Sequence, residues 1–228
     1  MISYKPQYSK PMKIFLDTAD FDEIAFRYST GLIDGVTTNP TLIKKSGDDP
    51  VEAIKRIAEA FPKMESISAE VVADNAADMV NQAKAFVDLP NVTIKVPCTI
   101  QGLIACRDLS LIYDKTVNVT LVFSPSQAIL ASKAGATYVS PFVGRVDDNS
   151  FNGIGLVRDI SQIYREHMVR TQTLAASIRS VGQVAESFAV GAEVVTMPPA
   201  IFDKMYNHIL TDKGLELFQK DWDSVTKG

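Results

Sequence analysis

The chain has 228 residues, 46% of them hydrophobic and 22% charged, which is enough apolar material for one large core or two small ones. A formal net charge of -4 gives no general attraction to nucleic acid or to an anionic membrane, and no apolar run approaches the roughly 18 residues that span a bilayer. Its two cysteines, Cys98 and Cys106, match neither a CxxC pair nor a zinc site, and on a helix they would stand too far apart for a disulfide.

The first eleven residues, MISYKPQYSKP, lack the apolar segment of a signal peptide and read as a short extension, 1–11, of a cytoplasmic protein. From Met12 onward, short β-rich runs alternate with longer amphipathic ones. Strands are predicted at 12–18, 35–39, 66–72, 92–97, 117–123, 136–143, 169–177 and 192–198. Helical patterns lie between them, among them VEAIKRIAEAF, AADMVNQAKAFV, SQAILASKAG, GQVAESFAVG and PAIFDKMYNHI. A last helix, 211–225, closes the chain. Strands alternating with helices imply parallel pairing. Eight such units in under 250 residues fit a single (β/α)8 TIM barrel over 12–228 with an additional C-terminal helix. A doubly wound open sheet is the alternative, but no GxGxxG or GxxxxGK[ST] follows the first strand.

A barrel places its catalytic groups at the C-terminal ends of its strands, and side chains that alternate along a strand share a face with the same parity. On one face fall Phe15 and Asp17, Thr37 and Asn39, Ser68 and Glu70, Thr93 and Lys95, Asn118 and Thr120, and Ser140 and Phe142. Ser177 and Arg179 follow the seventh strand. The other face carries Ile14, Leu16, Ile67, Ala69, Val71, Val92, Ile94, Val96, Val119, Leu121 and Phe123, an apolar set suited to packing against helices. The first face collects acids, a base, amides and hydroxyls, more polar groups than a structural barrel interior needs.

Lys95, in the apolar run TIKVP, has two readings. One is an ion pair with Glu70 or Asp17 across the barrel. The other is a Schiff-base nucleophile: an amine with an ordinary pKa of about 10.4 is almost wholly protonated at neutral pH, and confinement near other cations frees it. The protonated imine is its own electron sink, so no cofactor is required. The two histidines, His167 and His208, fall at no metal-ligand spacing, and His208 follows a helical run as a C-terminal cap would. No metal site is therefore expected. Arg145 and Arg179, at the ends of the sixth and seventh strands, suit a phosphate dianion or else stand as surface arginines. Asp147 and Asp148 read as loop or cap groups that could partner Arg145. Trp222 is an anchor either against another subunit or onto the barrel itself.

In order, FLDTAD, GVTTNPTLI, SAEVV, TIKVP, NVTLVFS, YVSPFVGR and LAASIR resemble the motifs of the small transaldolases, a family whose relatives include fructose-6-phosphate aldolase. The similarity runs from about Met12 to Trp222. It implies a class I aldolase barrel working in carbohydrate metabolism (the pentose phosphate pathway) on sugar-phosphate substrates. Lys95 would form the imine and Asp17 would move the proton of the donor's C4 hydroxyl. Glu70 and Thr120 would handle the relay water. Asn39 and Asn118 would hold sugar hydroxyls, Ser140 the C1 hydroxyl, and Arg145, Ser177 and Arg179 the phosphate. Glu70 and Phe142 are the residues of the transaldolase branch, where the aldolase branch carries glutamine and tyrosine. The resemblance also implies a homo-oligomer, commonly a decamer of two pentamers, and no nucleic-acid or membrane partner. Cys98 and SIRS depart from the family pattern, and the asparagine of KTVNVT sits one position late. The alternatives are an aldolase that releases free dihydroxyacetone and a non-catalytic barrel that binds sugar phosphates.

Overall fold

The computed structural model describes residues 12–46 and 49–226; the expected extension 1–11 lies outside them. Eight strands close into a parallel barrel, each paired with the next in sequence and the last with the first. They are β1 (Lys13–Asp17), β2 (Gly35–Thr37), β3 (Ser66–Glu70), β4 (Val92–Pro97), β5 (Val117–Val122), β6 (Tyr138–Pro141), β7 (Gln172–Ala175) and β8 (Val194–Met197). The crossovers hold α1 (Phe21–Tyr28), α2 (Pro40–Ser46), α3 (Pro50–Ala60), α4 (Ala76–Ala83), α5 (Ile100–Ile112), α6 (Pro125–Lys133), α7 (Val143–Asp147), α8 (Gly153–Glu166) and α9 (Val181–Ala189). After β8 come α10 (Pro199–Lys204) and α11 (Ile209–Thr226). The TIM-barrel expectation holds.

Most of the crossover helices start at a side-chain cap. Asp20, Asp49, Asn75, Thr99, Ser124, Asn152 and Ser180 each accept from a backbone N–H two or three residues on, which satisfies one of the donors a helix leaves orphaned. The main core lies between strands and helices and includes Leu16, Ile67, Ile94, Val119, Val139 and Val195. A smaller cluster of Phe15, Tyr138, Leu174, Ala176 and Val194 fills the barrel itself. At the N-terminal strand ends Lys13 pairs with Glu65 and donates to Gln172 Oε1 at 3.1 Å, and Tyr138 donates to Glu65 at 3.0 Å. Charge, amide and phenol thus close this end with mutual hydrogen bonds, and the open end lies where the strands terminate.

Three expectations fail locally. Strand β5 has a register irregularity between Val119 and Val122, and Leu121 adopts φ +59°. The alternation breaks there: Leu121 lines a cavity beside Thr120, and Phe123 is exposed rather than packed on the helices. The pattern PAIFDKMYNHI is not one helix. It stops at Lys204, and His208 caps the following helix instead, its Nδ1 accepting from Leu210 N at 3.2 Å. That last helix starts at Ile209, two residues before the expected 211. None of its residues is buried, so Trp222 does not dock onto its own barrel.

Candidate active site

Lys95 stands in the middle of β4, 6% exposed. The β3–β4 register sets Glu70 directly beside it, and Nζ lies 2.9 Å from Glu70 Oε2. Nζ also donates to the Thr38 carbonyl at 3.3 Å. A buried ammonium needs such partners. The ion-pair reading therefore holds in its Glu70 form, yet the amine is not sealed off. It lines a cavity of about 130 Å³ together with Asp17, Thr37, Asn118, Ser140 and Thr196. It also lines a second cavity of about 410 Å³, to which Glu70 and Thr120 contribute.

Asp17 ends β1. Thr37 donates to its Oδ1 at 2.9 Å, and Thr37 in turn lies 2.6 Å from Thr196 Oγ1. Burial pushes the Asp17 carboxyl above its ordinary range, and nearby Glu70 adds to that. The Thr37 hydrogen bond and the charge of Lys95 pull the other way. Desolvation dominates, as it does when a carboxylate is enclosed by β-strands.

On β5 and β6 Ser140 donates to Asn118 Oδ1 at 2.8 Å. Asn118 Nδ2 and Thr120 Oγ1 are buried with no partner among the described residues, so these polar atoms face the enclosure with hydrogen-bonding capacity to spare. Asn39 lines both cavities, and its side chain caps α2 by accepting from Leu42 N at 3.0 Å. Ser177 lines the smaller cavity at φ +59°, an αL conformation uncommon for a residue with a side chain.

The two arginines differ. Arg145 lines both cavities and lays its guanidinium over the Phe142 ring, 4.8 Å from the centroid. Phe142 meets Phe123 edge-on at 5.8 Å. Arg179 lines neither cavity. It forms a two-bond ion pair with Asp148, at 2.7 and 2.6 Å, so the expected partnership of Asp148 with Arg145 is replaced by one with Arg179. Asp147 accepts from Gly153 N and from Gln183. The side chain of Arg179 passes so close to Gly144 that a Cβ there would stand 2.7 Å from its Nε and 2.3 Å from the Ser177 carbonyl.

The structure thus gathers Lys95, Asp17, Glu70, Thr120, Asn39, Asn118, Ser140, Phe142, Arg145 and Ser177 around the two cavities and leaves Arg179 outside them. It adds Thr196 and Leu121. Thr196 has inward parity with Val194, a signal present in VVTMP; Leu121 enters only through the irregularity of β5. Cys98 is half-buried and Cys106 buried, both as free thiols, and burial pushes the Cys106 thiol up to about 12.

Residues 14–228 match the Transaldolase/Fructose-6-phosphate aldolase family. The chain is 54% identical over 215 residues to a probable transaldolase of Caulobacter vibrioides (strain NA1000 / CB15N), covering 94% of this chain and 98% of that one. It is 51% identical over 212 residues to probable transaldolases of Paracoccus denitrificans (strain Pd 1222) and of Novosphingobium aromaticivorans, in each case 92% of this chain and 96% of the relative. With a closed eight-stranded barrel, a strand-borne lysine open to a polar cavity and full-length similarity of this order, the chain is an enzyme of the transaldolase/fructose-6-phosphate aldolase family.

Proposed function

We propose that the protein is a transaldolase that moves a dihydroxyacetone unit between sugar phosphates: sedoheptulose 7-phosphate and glyceraldehyde 3-phosphate give erythrose 4-phosphate and fructose 6-phosphate, and the reverse. The observation that carries this reading is Lys95, held by Glu70 at 2.9 Å yet open to the cavity that Asp17 shares. The unprotonated amine attacks the C2 ketone of the donor, and loss of water leaves a protonated imine. Glu70 and Thr120 serve this dehydration, the acid to move protons and the hydroxyl to hold the water. Asp17 takes the proton of the C4 hydroxyl, the C3–C4 bond breaks, and its electron pair passes into the imine to give an enamine. The aldehyde fragment leaves. A second aldehyde then accepts the enamine carbon while Asp17 returns its proton, and hydrolysis frees Lys95. Splitting the transfer into two imine-linked halves is covalent catalysis.

Asn39 and Asn118 hold the donor hydroxyls and Ser140 the C1 hydroxyl. Arg145 and Ser177 receive the phosphate, joined by Arg179: its pair with Asp148 uses two of the five guanidinium donors and leaves three. Transfer rather than release follows from position 142. Phe142 has no hydroxyl to help water hydrolyse the enamine, and its ring is covered by the Arg145 guanidinium and meets Phe123 edge-on. The unburied α11 supports a homo-oligomer, and on this reading the enzyme works in the pentose phosphate pathway of the cytoplasm.

A product assay separates the two activities of the family. With fructose 6-phosphate alone the protein should release dihydroxyacetone at no more than a trace rate, and erythrose 4-phosphate should switch on transfer. Steady release without an acceptor would make it an aldolase. The same assay with fructose as donor reads the phosphate site: Arg145→Ala should raise KM for fructose 6-phosphate about tenfold or more and leave KM for fructose nearly unchanged.

A further inference from the structure

We infer that Thr37 and Thr196 are positioning residues for Asp17, two hydroxyls in series that fix one carboxylate oxygen and leave the other to take and return the proton. The inference rests on Asp17 acting as the base of the proposed transfer. Thr37 Oγ1 lies 2.9 Å from Asp17 Oδ1 and 2.6 Å from Thr196 Oγ1. A hydroxyl has one hydrogen to donate, and an ionised carboxylate only accepts. The hydrogen of Thr37 therefore goes to Asp17, and Thr196 must supply the hydrogen of the second bond. This order has a chemical consequence: Thr196, its own hydrogen committed to Thr37, presents only lone pairs to the cavity it lines and is an acceptor for a substrate hydroxyl.

The barrel builds this arrangement rather than merely permitting it. Thr37 is the register partner of Asp17 on β2. Thr196 is the register partner of Phe15 on β8, one inward position below Asp17, so the three side chains come from three adjacent strands. The threonines are 3% and 2% exposed, and a β-branched side chain has few rotamers to lose. The charged groups that face Asp17 are Lys95 from β4 and Glu70 from β3, with Arg145 lining the same cavity. Among the described residues Thr37 alone hydrogen-bonds the carboxylate. The bond favours the ionised form over the neutral one and so opposes burial. It favours the carboxylate form of Asp17 in a desolvated site, the form that accepts the C4 proton on Oδ2.

The test is the pH dependence of kcat/KM for transfer from fructose 6-phosphate to erythrose 4-phosphate, measured alongside borohydride trapping of the fructose 6-phosphate imine. Thr37→Val should move the acid limb upward by about one pH unit, a loss of about tenfold in kcat/KM below it, because a hydrogen bond to a charged acceptor is removed. The loss should fall mainly on kcat, and trapping should continue, because imine formation at Lys95 does not use this hydroxyl. Thr37→Ser, which keeps the donor, should restore the parent limb, and Thr196→Val should shift it in the same direction by less. An unmoved limb in Thr37→Val with trapping intact overturns the inference. If Thr37→Val does not fold, an unmoved limb in Thr196→Val overturns it instead. Absence of trapping in the parent enzyme would remove the imine reading itself, and this inference with it.

Discussion

Asp17 is kept in a place that disfavours its working form. Its ordinary value is 3.8, and burial raises it in the folded chain. For an acid whose folded value is raised, the folded state resists ionisation more than the unfolded state does. The resulting cost to stability is absent below 3.8, grows as pH rises from there through the folded value, and is complete above it. Asp17→Asn removes the charge and keeps a carbonyl that can accept from Thr37. Its melting temperature should exceed the parent's near neutrality, with the gap closing as the pH falls through the raised folded value to 3.8, while transfer activity falls by orders of magnitude. A variant no more stable than the parent at neutral pH would contradict the desolvation argument. At this scale much was legible. TIKVP marks a lysine out of place in an apolar strand, and parity in SISAE places Glu70 beside it, because parallel strands in register present equal positions to one face. Thr37 shows the right parity in GVTTN, but its role depends on hydroxyl-to-carboxylate distances that no spacing encodes. The Arg179–Asp148 pair was equally hidden, since it joins two loops through side-chain reach alone.

Among the elements, α11 has the least local reason to hold its shape. Leu215, Phe218, Trp222 and Val225, each more than half exposed, recur at spacings of three and four and so share one side of the helix. An apolar stripe of this kind gains its stability from packing, and its own barrel supplies none. In the homo-oligomer proposed above, a second copy supplies it. A chain ended at His208 should therefore keep its barrel fold by circular dichroism yet sediment as a smaller species than the full chain. Equal masses for the two would contradict the assignment of α11 to assembly. The sequence marks this helix by its periodicity and misjudges its start, because the pattern PAIFDKMYNHI continues helical composition through Met205–His208, where the backbone breaks. Strand β5 shows the opposite difficulty. Its run of β-branched and apolar residues gives no glycine at the irregular position, so Leu121 at φ +59° is invisible to composition. Caps such as Asp20, Thr99 and Ser180 are local signals with a local mechanism, legible in the sequence although no helix start is assigned from them.

For the molecule as a whole, eight alternating units suffice to call a barrel, since parallel strands need crossovers and eight of them close a ring. Closure then decides chemistry: it brings residues of all eight strands to one mouth, so that side chains from Asp17 on β1 to Thr196 on β8 line common cavities. The central claim is that Lys95, though ion-paired with Glu70, captures a sugar ketone. Intact-mass analysis after borohydride reduction in the presence of fructose 6-phosphate tests it directly, with the adduct mapped by peptide. The account predicts one adduct per chain, on the peptide containing Lys95, and none in Lys95→Ala. An adduct on another lysine, or one retained in Lys95→Ala, would contradict it.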